Sequence, residues 1–372
     1  MNADIFLIGS GQTRFAEWWD KSISDLLQEA AYEALEHSPC KPSEIDMVIV
    51  ANMIAERTNG QAHLGAIASA LFPHNPPALR VESACASGAV ALHTACGMLE
   101  SGRAKNILVI GVEKMTDVPV SEVSAALMGA ADSEKDAPSG LTFPGIFGLI
   151  AQRYMYEHGL TREQLNTVSA VHHRNALSNP FAQFRMEIPA EKISQSPNVA
   201  EPLCMLDCSP ISDGAAACIL STTHESDMKI VASQLASDAV SLTDRKSITS
   251  FSATKTAMEK ALEEADTDRK NISHMEIHDC FSIAALINVE DLGFAEPGKG
   301  IELYEQTESV PSINASGGLK ACGHPVAATG IKQVTDVSKQ LRASGNRWGL
   351  AQNFGGACAS CGIHILEHTP VS

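Results

Sequence analysis

The segment Ser83-Ala84-Cys85-Ala86-Ser87-Gly88 stands directly before a run, residues 89–99, that is apolar nearly all round. A helix of that composition must be covered on every side, so we predict that it lies in a central helical layer between two sheets. Cys85 would then occupy the first turn of a buried helix. Unpaired backbone N–H groups and the positive end of the helix dipole stabilise a thiolate there, which predicts a lowered pKa and a nucleophilic sulfur.

Two histidines further along the chain stand in equally unusual settings. His278 lies in His278-Asp279-Cys280-Phe281-Ser282, and His324 lies in Gly323-His324-Pro325. A thiol with nearby imidazoles supplies a nucleophile and a base, the groups that acyl transfer through a covalent intermediate requires. Together the three residues predict an acyl-transfer site.

The chain also contains an internal repeat of secondary structure. Residues 22–36 have the apolar spacing of an amphipathic helix, and a short apolar strand follows at residues 47–50. The same order recurs with a helix at residues 256–265 and a strand at residues 275–277. Met47 and Met275 correspond, which predicts two related halves.

A second repeated unit surrounds the reactive residues. After Cys85 come a helix, a turn and a strand at residues 107–110; after His324 come a helix at about residues 326–341, a turn and an apolar segment at residues 348–351. Such helix and strand units predict parallel sheets with crossover helices, and two packed halves predict a core with pseudo-twofold symmetry. Both reactive positions fall at the start of the corresponding helix.

The composition changes between the repeated units. Residues 117–199 contain a polar loop and two helices, at about residues 147–158 and 162–178, and are predicted to form an inserted loop domain. We therefore assign residues 1–116 and 200–222 to an N-terminal half and residues 223–372 to a C-terminal half.

Composition restricts the classes of function. The 372 residues are 44% hydrophobic and 19% charged, which is typical of a globular protein with two or three subdomains. A net charge of −17 argues against non-specific binding to nucleic acid or anionic membranes. No segment is apolar for the roughly 18 residues that a membrane span needs. The ten cysteines are dispersed, which suits reduced thiols and predicts a cytoplasmic protein.

Two close cysteine pairs raise the alternative of a zinc site. Cys204 with Cys208, and Cys358 with Cys361, could each supply two ligands, but the pairs are far apart in sequence and a structural zinc site normally needs four ligands. We therefore predict no metal and treat these residues as small buried hydrophobes.

Four motifs together resemble the thiolase superfamily over nearly the whole chain. They are the segment around Cys85, His-Asp-Cys-Phe at 278–281, Gly-His-Pro at 323–325 and Asn-Phe-Gly-Gly at 353–356. Residues 158–164 and 209–216 add support. The His-Asp-Cys-Phe version is similar to sterol-carrier-type and archaeal-type acetyl-CoA acetyltransferases. The resemblance implies an α/β fold, the duplicated thiolase fold, with layers αβαβα and two mixed sheets around central helices.

The resemblance also implies roles for the motif residues. Cys85 would take the acyl group of an acyl-CoA as a thioester, and His324 would accept the thiol proton and later help to stabilise an oxyanion. His278 would donate a hydrogen bond to the thioester oxygen of the second substrate. The backbone N–H groups of Cys85 and Gly355 would form a second oxyanion hole.

One position departs from the family pattern. Most thiolases use a C-terminal cysteine as acid and base, but the matching residue here is Asn353, which cannot carry a proton. Cys280 is the expected substitute, and Cys358 is a second candidate.

Coenzyme A thioesters are the implied substrates, and no permanently bound cofactor is expected. Because the protein carries a net negative charge, the CoA phosphates need local cations. We predict such a patch at His172, His173, Arg174 and Arg185.

Several alternatives to an acetyl-CoA acetyltransferase or 3-ketoacyl-CoA thiolase stay open at this point. They are a ketosynthase-like condensing enzyme, a sterol side-chain retro-aldolase, against which Cys85 argues, and a weakly active scaffold subunit. The resemblance further implies a homodimer or homotetramer. Its partners could be a small zinc-containing OB-fold protein and a hydroxymethylglutaryl-CoA synthase.

Overall fold

The computed structural model describes residues 3–306 and 311–369. Its strands are β1 (Ile5–Gln12), β2 (Met47–Ala51), β3 (Ala78–Val81), β4 (Asn106–Glu113), β5 (Asn198–Ala200), β6 (Leu203–Cys204), β7 (Gly214–Ser221), β8 (Met228–Ser237), β9 (Ile272–Glu276), β10 (Ser312–Ile313), β11 (Trp348–Gly355) and β12 (Ser360–His368). Its helices are α1 (Ile23–Glu36), α2 (Ala55–Thr58), α3 (Leu64–Ser69), α4 (Ser87–Glu100), α5 (Val120–Leu127), α6 (Phe143–His158), α7 (Arg162–Asn175), α8 (Ala190–Ile193), α9 (Ser252–Ala265), α10 (Ser282–Asp291), α11 (Gly300–Glu305), α12 (Gly318–Cys322) and α13 (Thr329–Ser344). Within the described ranges, no helix has both the length and the apolar composition that crossing a bilayer requires.

The main sheet consists of two blocks with the same strand order. One block runs β3-β2-β4-β7-β1 and the other runs β10-β9-β11-β12-β8. In each block three strands are parallel and the last two pair antiparallel. The predicted duplication is therefore confirmed. The two blocks join edge to edge where Ile5 and Phe6 of β1 pair with Ile230 and Lys229 of β8, so the predicted two sheets form one continuous ten-stranded sheet.

The outer faces of the two blocks carry amphipathic helices. The apolar side of α1 packs on β1, β4 and β7, and its first turn is fixed by a capping box between Ser22 and Asp25. The corresponding helix α9 packs on the other block beside β8 and β12. Strands β4 and β7 are buried along their whole length, which explains their continuous apolar sequences.

Helices α4 and α13 form the central layer. One hydrophobic core joins Leu92 of α4 and Val334 of α13 to strands of both blocks, including β1 through Ile5 and β12 through Leu366. Because α4 and α13 lie between the two blocks of the continuous sheet, the order of layers is helix, sheet block, helix, sheet block, helix, as the resemblance implied. The apolar helix after Cys85 is buried over most of its surface, but the prediction that it is covered on every side is wrong at Gly97, which is exposed, and at Met98, which is half-buried.

The two central helices touch through backbone atoms. A Cβ added at Gly88 of α4 would lie 2.8 Å from the carbonyl oxygen of Ala327 and 3.1 Å from Cα of Gly330 in α13. A Cβ added at Gly330 would lie 2.6 Å from the backbone nitrogen of Ala89. Glycine is therefore required on both sides of this contact, which sets the distance between the segments that carry Cys85 and His324.

Residues 117–199 contain α5 to α8 and the first residues of the small two-stranded sheet β5–β6. Helix α6 begins at Phe143, earlier than predicted, because Thr142 caps it and Pro144 stands in its first turn. Helix α7 begins with a capping box of Thr161 and Gln164 and packs against α10, α11 and α12. The domain boundaries assigned from the sequence stay a prediction.

The glycine contact leads to a stability test within one helix. Gly88→Ala should lower the free energy of unfolding by about 1 to 3 kcal/mol, because its new methyl group meets backbone atoms that cannot move independently. Gly97→Ala, in the same helix, should instead raise it by roughly 0.5 to 1 kcal/mol, since nothing lies within 4 Å of the added Cβ. Denaturant unfolding measures both, and equal effects for the two variants would contradict this packing.

Candidate active site

Cys85 stands in a tight turn between β3 and α4. Ala84 has a φ of +52°, in the left-handed region that non-glycine residues rarely occupy. The Ser87 hydroxyl accepts a hydrogen bond from the Ser83 N–H at 2.8 Å and donates one to the Ala84 carbonyl at 2.6 Å. These bonds hold the turn, and the half-buried Cys85 faces a cavity.

The structure brings the three predicted residues together. Cys85 Sγ and one ring nitrogen from each of His278 and His324 all lie within 4.8 Å of one another. The two imidazole rings meet edge to face with centroids 5.0 Å apart. The thiol thus meets two imidazoles that stand in a distant part of the sequence.

His278 follows β9 and is held from several sides. Its backbone N–H donates to Gln352 Oε1 at 2.9 Å, and its carbonyl accepts from Asn288 Nδ2 at 2.8 Å. Its ring packs on Phe354, with centroids 4.1 Å apart. These contacts hold the imidazole ring of His278 in one orientation.

Asn353 determines which nitrogen of His278 carries the proton. Its amide nitrogen lies 2.9 Å from His278 Nδ1, and an amide N–H can only donate. Nδ1 therefore accepts, and the proton of the neutral ring is on Nε2. Among the described residues Nε2 has no hydrogen-bond partner, so its N–H is free to bind a substrate oxygen.

His324 is positioned by the motif at residues 209–216. Its backbone N–H lies 3.1 Å from Ser212 Oγ and 3.3 Å from the Pro210 carbonyl, and both accept from it. Gly323 before it has a φ of +104°, and a Cβ there would lie 2.5 Å from Ser212 Oγ. In the described structure the ring Nδ1 is buried without a partner.

Burial sets the charge state of the site. Desolvation raises the pKa of Cys85 to about 12, although the Gly356 N–H donates a hydrogen bond to the sulfur. Burial lowers the pKa of His324 to about 4, and burial and then His324 hold the pKa of His278 well below its usual value. The lowered thiol pKa expected from the sequence is wrong for the resting protein, because desolvation outweighs the helix dipole. The resting site contains a neutral thiol and two neutral imidazoles.

The two candidates for the acid and base lie in different environments. Cys280 is buried and lines the same cavity as Cys85, and its pKa is raised well above the usual value by burial and then by Cys85. Cys358 is fully buried against Thr254 Oγ1, 3.4 Å from its sulfur, beside Cys361. The geometry favours Cys280.

The glycines after Asn353 bring a backbone loop close to the nucleophile. A Cβ at Gly355 would lie 2.4 Å from the Ser83 carbonyl oxygen, so only glycine permits this approach. Gly356, and not Gly355, lines the cavity and bonds to the Cys85 sulfur. The oxyanion-hole role assigned to Gly355 stays a prediction.

The cavity in front of Cys85 has a volume of about 460 Å³. Its walls are mostly apolar and include Phe143, Phe147, Phe281 and Met115. A cavity of this size and lining suits an acyl chain and part of the arm that carries it.

The predicted phosphate-binding residues do not form one patch. His172 and His173 are fully buried, and His172 Nδ1 lies 2.8 Å from Asp279 Oδ2. These two imidazoles cannot reach a phosphate at the surface, so that part of the prediction is wrong. Arg174 and Arg185 are exposed, and their role stays a prediction.

Two carboxylates that were not predicted from the sequence hold the site together. Burial raises the pKa of Glu113 to about 7. Its side chain accepts hydrogen bonds from the backbone N–H groups of Ile54 at 3.0 Å and Ala327 at 3.3 Å, one in each half of the chain. Asp279 accepts the N–H groups of Leu319 at 2.7 Å and Lys320 at 3.2 Å. Asp279 could have been identified from its motif, whereas Glu113 gives no local signal beyond a charge at the end of an apolar strand.

Side chains of the kinds that bind metals are close in two places. Within the part of the chain that the structure describes, the groups of three are Cys85 with both site histidines, and Cys40 with Glu44 and His224. The two close cysteine pairs considered for zinc belong to neither group.

Comparison with known proteins gives matches over nearly the whole length of the chain. The chain matches the family models described as "Thiolase, N-terminal domain" over residues 5–224 and "Thiolase C-terminal domain-like" over residues 235–368. It is 41% identical to an acetyl-CoA acetyltransferase of Methanocaldococcus jannaschii, covering 98% of this chain and 99% of the relative. Human sterol carrier protein 2 is 29% identical over 92% of this chain and 67% of its own length. A solved structure named "Ltp2-ChsH2(DUF35) aldolase" has the same fold, with a TM-score of 0.84, 19% identity and 98% of each chain covered.

The tautomer of His278 can be observed directly. In nitrogen-15 NMR, the ring should remain neutral with its proton on Nε2 at pH values where an ordinary histidine is already protonated, because burial lowers its pKa. Asn353→Asp should raise the pKa of His278 by roughly one unit or more, because it places a carboxylate beside Nδ1. The matched variant Asn353→Leu removes the donor without adding charge and should give a mixture of tautomers. Unchanged spectra in both variants would contradict the assignment.

The high pKa of Cys85 predicts its reactivity toward iodoacetamide. Only the thiolate reacts, so the alkylation rate at Cys85 should rise about tenfold per pH unit from about pH 7 to about pH 9. Peptide mass analysis locates the label among the ten cysteines. A rate that reaches a plateau below about pH 8 would show a lowered pKa and refute the dominance of desolvation.

Proposed function

The chain belongs to the thiolase family, and we propose that it transfers an acyl group between coenzyme A thioesters through a covalent Cys85 acyl-enzyme. The reaction is the Claisen condensation of two acetyl-CoA molecules to acetoacetyl-CoA, or the reverse thiolytic cleavage of a 3-ketoacyl-CoA. The observation that carries the proposal is the convergence of Cys85 Sγ with two imidazole nitrogens, all within 4.8 Å, at an apolar cavity. Coenzyme A thioesters are substrates here, and the chemistry uses only side chains and backbone groups of the protein.

The first half-reaction forms the acyl-enzyme. Cys85 Sγ attacks the thioester carbonyl carbon while His324 takes the thiol proton. Because the pKa of this imidazole is low, the proton transfer is unfavourable until the substrate is bound. The bond between the acyl carbon and the CoA sulfur then breaks, Cys280 gives its thiol proton to the departing CoA sulfur, and His324 keeps the proton taken from Cys85. Backbone N–H groups around Cys85 and Gly355–Gly356 bind the transient oxyanion.

The second half-reaction forms the new carbon–carbon bond. Cys280, as thiolate, removes a proton from C2 of a second acetyl-CoA, and its raised pKa makes that thiolate a strong base. The free Nε2–H of His278, together with His324, stabilises the enolate oxygen. The enolate attacks the acyl carbon, the bond to Cys85 breaks, and the proton held by His324 passes to the Cys85 sulfur, so that Cys85 and Cys280 are neutral thiols again.

We further propose that the chain works with other subunits in the cytoplasm. The name of the structural neighbour includes a DUF35 component, and the family resemblance points to a small zinc-containing OB-fold partner and a hydroxymethylglutaryl-CoA synthase. Exposed apolar side chains at the cavity rim, including Val120, Val199 and Met205, support contact with a partner or a second copy in a homodimer or homotetramer. Ten free cysteines support a reducing compartment.

The proposal is tested with the purified chain by CoA-dependent loss of acetoacetyl-CoA. Cys85→Ala should lower the rate about 1000-fold or more, because the covalent route is lost. Cys280→Ser should cost about 100-fold, while the matched variant Cys358→Ser should stay within a fewfold of wild type. Equal rates in wild type and Cys85→Ala would contradict the proposed activity and favour the alternative of a scaffold subunit.

A further inference from the structure

Lys320 is a buried cation in the wall of the reaction cavity. It lies on α12, four residues before His324, and is 3% exposed. Among the lining residues of the described cavity, it is the only lysine, arginine, aspartate or glutamate. No carboxylate oxygen of the described chain lies within 4.0 Å of its Nζ. Lysines are almost never so deeply buried without a partner.

The two carboxylates that face Lys320 are both bound elsewhere. Asp207 pairs with Arg162 at 2.6 Å and accepts from the Ser282 hydroxyl at 2.8 Å. Asp279 contacts His172 at 2.8 Å and accepts two backbone N–H groups. Their charges act on Lys320 from a distance, but neither satisfies its N–H donors.

Two further titratable groups beside Lys320, Cys208 and His173, are neutral at neutral pH. Burial raises the pKa of Cys208 to about 12, and burial followed by Lys320 lowers the pKa of His173 to about 3. Burial lowers the pKa of Lys320 itself to about 8, so most of the population is still an ammonium at pH 7. An unpartnered positive charge therefore faces an apolar cavity.

Lys320 and Cys208 line the same cavity as the nucleophile Cys85. The charge of Lys320 acts on Cys208 and His173, whereas the charges that act on Cys85 are those of Glu113 and Glu82. In a monothioester of a dicarboxylic acid the free carboxylate ends the acyl chain, remote from the reacting carbonyl, so an acyl chain that enters this cavity can bring that carboxylate to Lys320.

We propose that Lys320 is a specificity-determining residue that binds a carboxylate at the far end of the acyl chain, so that the substrates include coenzyme A thioesters of dicarboxylic acids. This inference rests on the proposed function and names a substrate class for the same site. A carboxylate forms a charge-assisted hydrogen bond with the ammonium, which is stronger in an apolar cavity than in water. A terminal ketone would accept a weaker bond, and a branched alkyl end would leave the donor unpaired.

Three acyl donors of similar chain length test the proposal. Succinyl-CoA ends in a carboxylate, 4-oxopentanoyl-CoA in a ketone and 4-methylpentanoyl-CoA in an isopropyl group. The full-length protein should form the Cys85 acyl-enzyme with succinyl-CoA at a kcat/KM roughly tenfold or more above that with 4-methylpentanoyl-CoA, measured by CoA release and intact mass. Lys320→Met should reverse this order, and the matched variant Lys320→Arg, which keeps the charge, should preserve it.

The pH dependence gives a second measurement. The ammonium is present below about pH 8 and is lost above it, so the preference for succinyl-CoA in kcat/KM should fall as pH rises through about 8. A wild-type preference for the ketone or the alkyl donor, the same preference in Lys320→Met, or a preference independent of pH would overturn the proposal. If Lys320→Met does not fold, the wild-type order and pH profile decide. Failure of every donor, acetyl-CoA included, to label Cys85 would refute the proposed function itself.

Discussion

The backbone contact between the two central helices determines the geometry of the whole site. Gly88 and Gly330 bring α4 and α13 together, and a side chain on either glycine would separate them. Cys85 lies just before one helix and His324 just before the other, so this contact places both reactive groups at one cavity. A Cβ at Gly330 would also lie 2.6 Å from Asn353 Oδ1, and Asn353 in turn orients His278. A symmetric fold thereby produces an asymmetric site, with the nucleophile from one half and both imidazoles from the other.

The nucleophile and both imidazoles of the site are uncharged at rest. Desolvation acts on the thiol and on both imidazoles in the direction that favours the neutral form, and the charge of Glu113 further disfavours the thiolate. The unpartnered ring nitrogens of His278 and His324, by contrast, are hydrogen-bonding groups held without a partner within the described structure. Such groups are costly to bury, and a substrate oxygen that binds them regains that free energy. Activation of the sulfur therefore depends on the arrival of substrate in a preorganised site.

Much of the fold followed from sequence because its signals are local. The helix at α1, the strand at β2 and their repeats at α9 and β9 follow from apolar spacing, and the motifs identified Cys85, His278 and His324. The predictions that failed depended on contacts between residues that are distant in sequence. Burial of His172 and His173 arises from packing of α7 on α12, and the lysine and aspartate neighbours of that layer are far apart in sequence. The raised pKa of Cys85 likewise depends on the covering layers, whereas the helix position alone suggested the opposite. The joining of the two blocks through β1 and β8 involves only two residue pairs and leaves no sequence pattern.

The central claim is that one sulfur becomes esterified by the substrate, and the most direct measurement is peptide mass mapping of the protein after brief mixing with acetyl-CoA and an acid quench. The account predicts a single acetyl group, carried on Cys85 and removed when free CoA is added. An unlabelled protein, or an acetyl group on Cys280 or another cysteine with Cys85 unmodified, would contradict it.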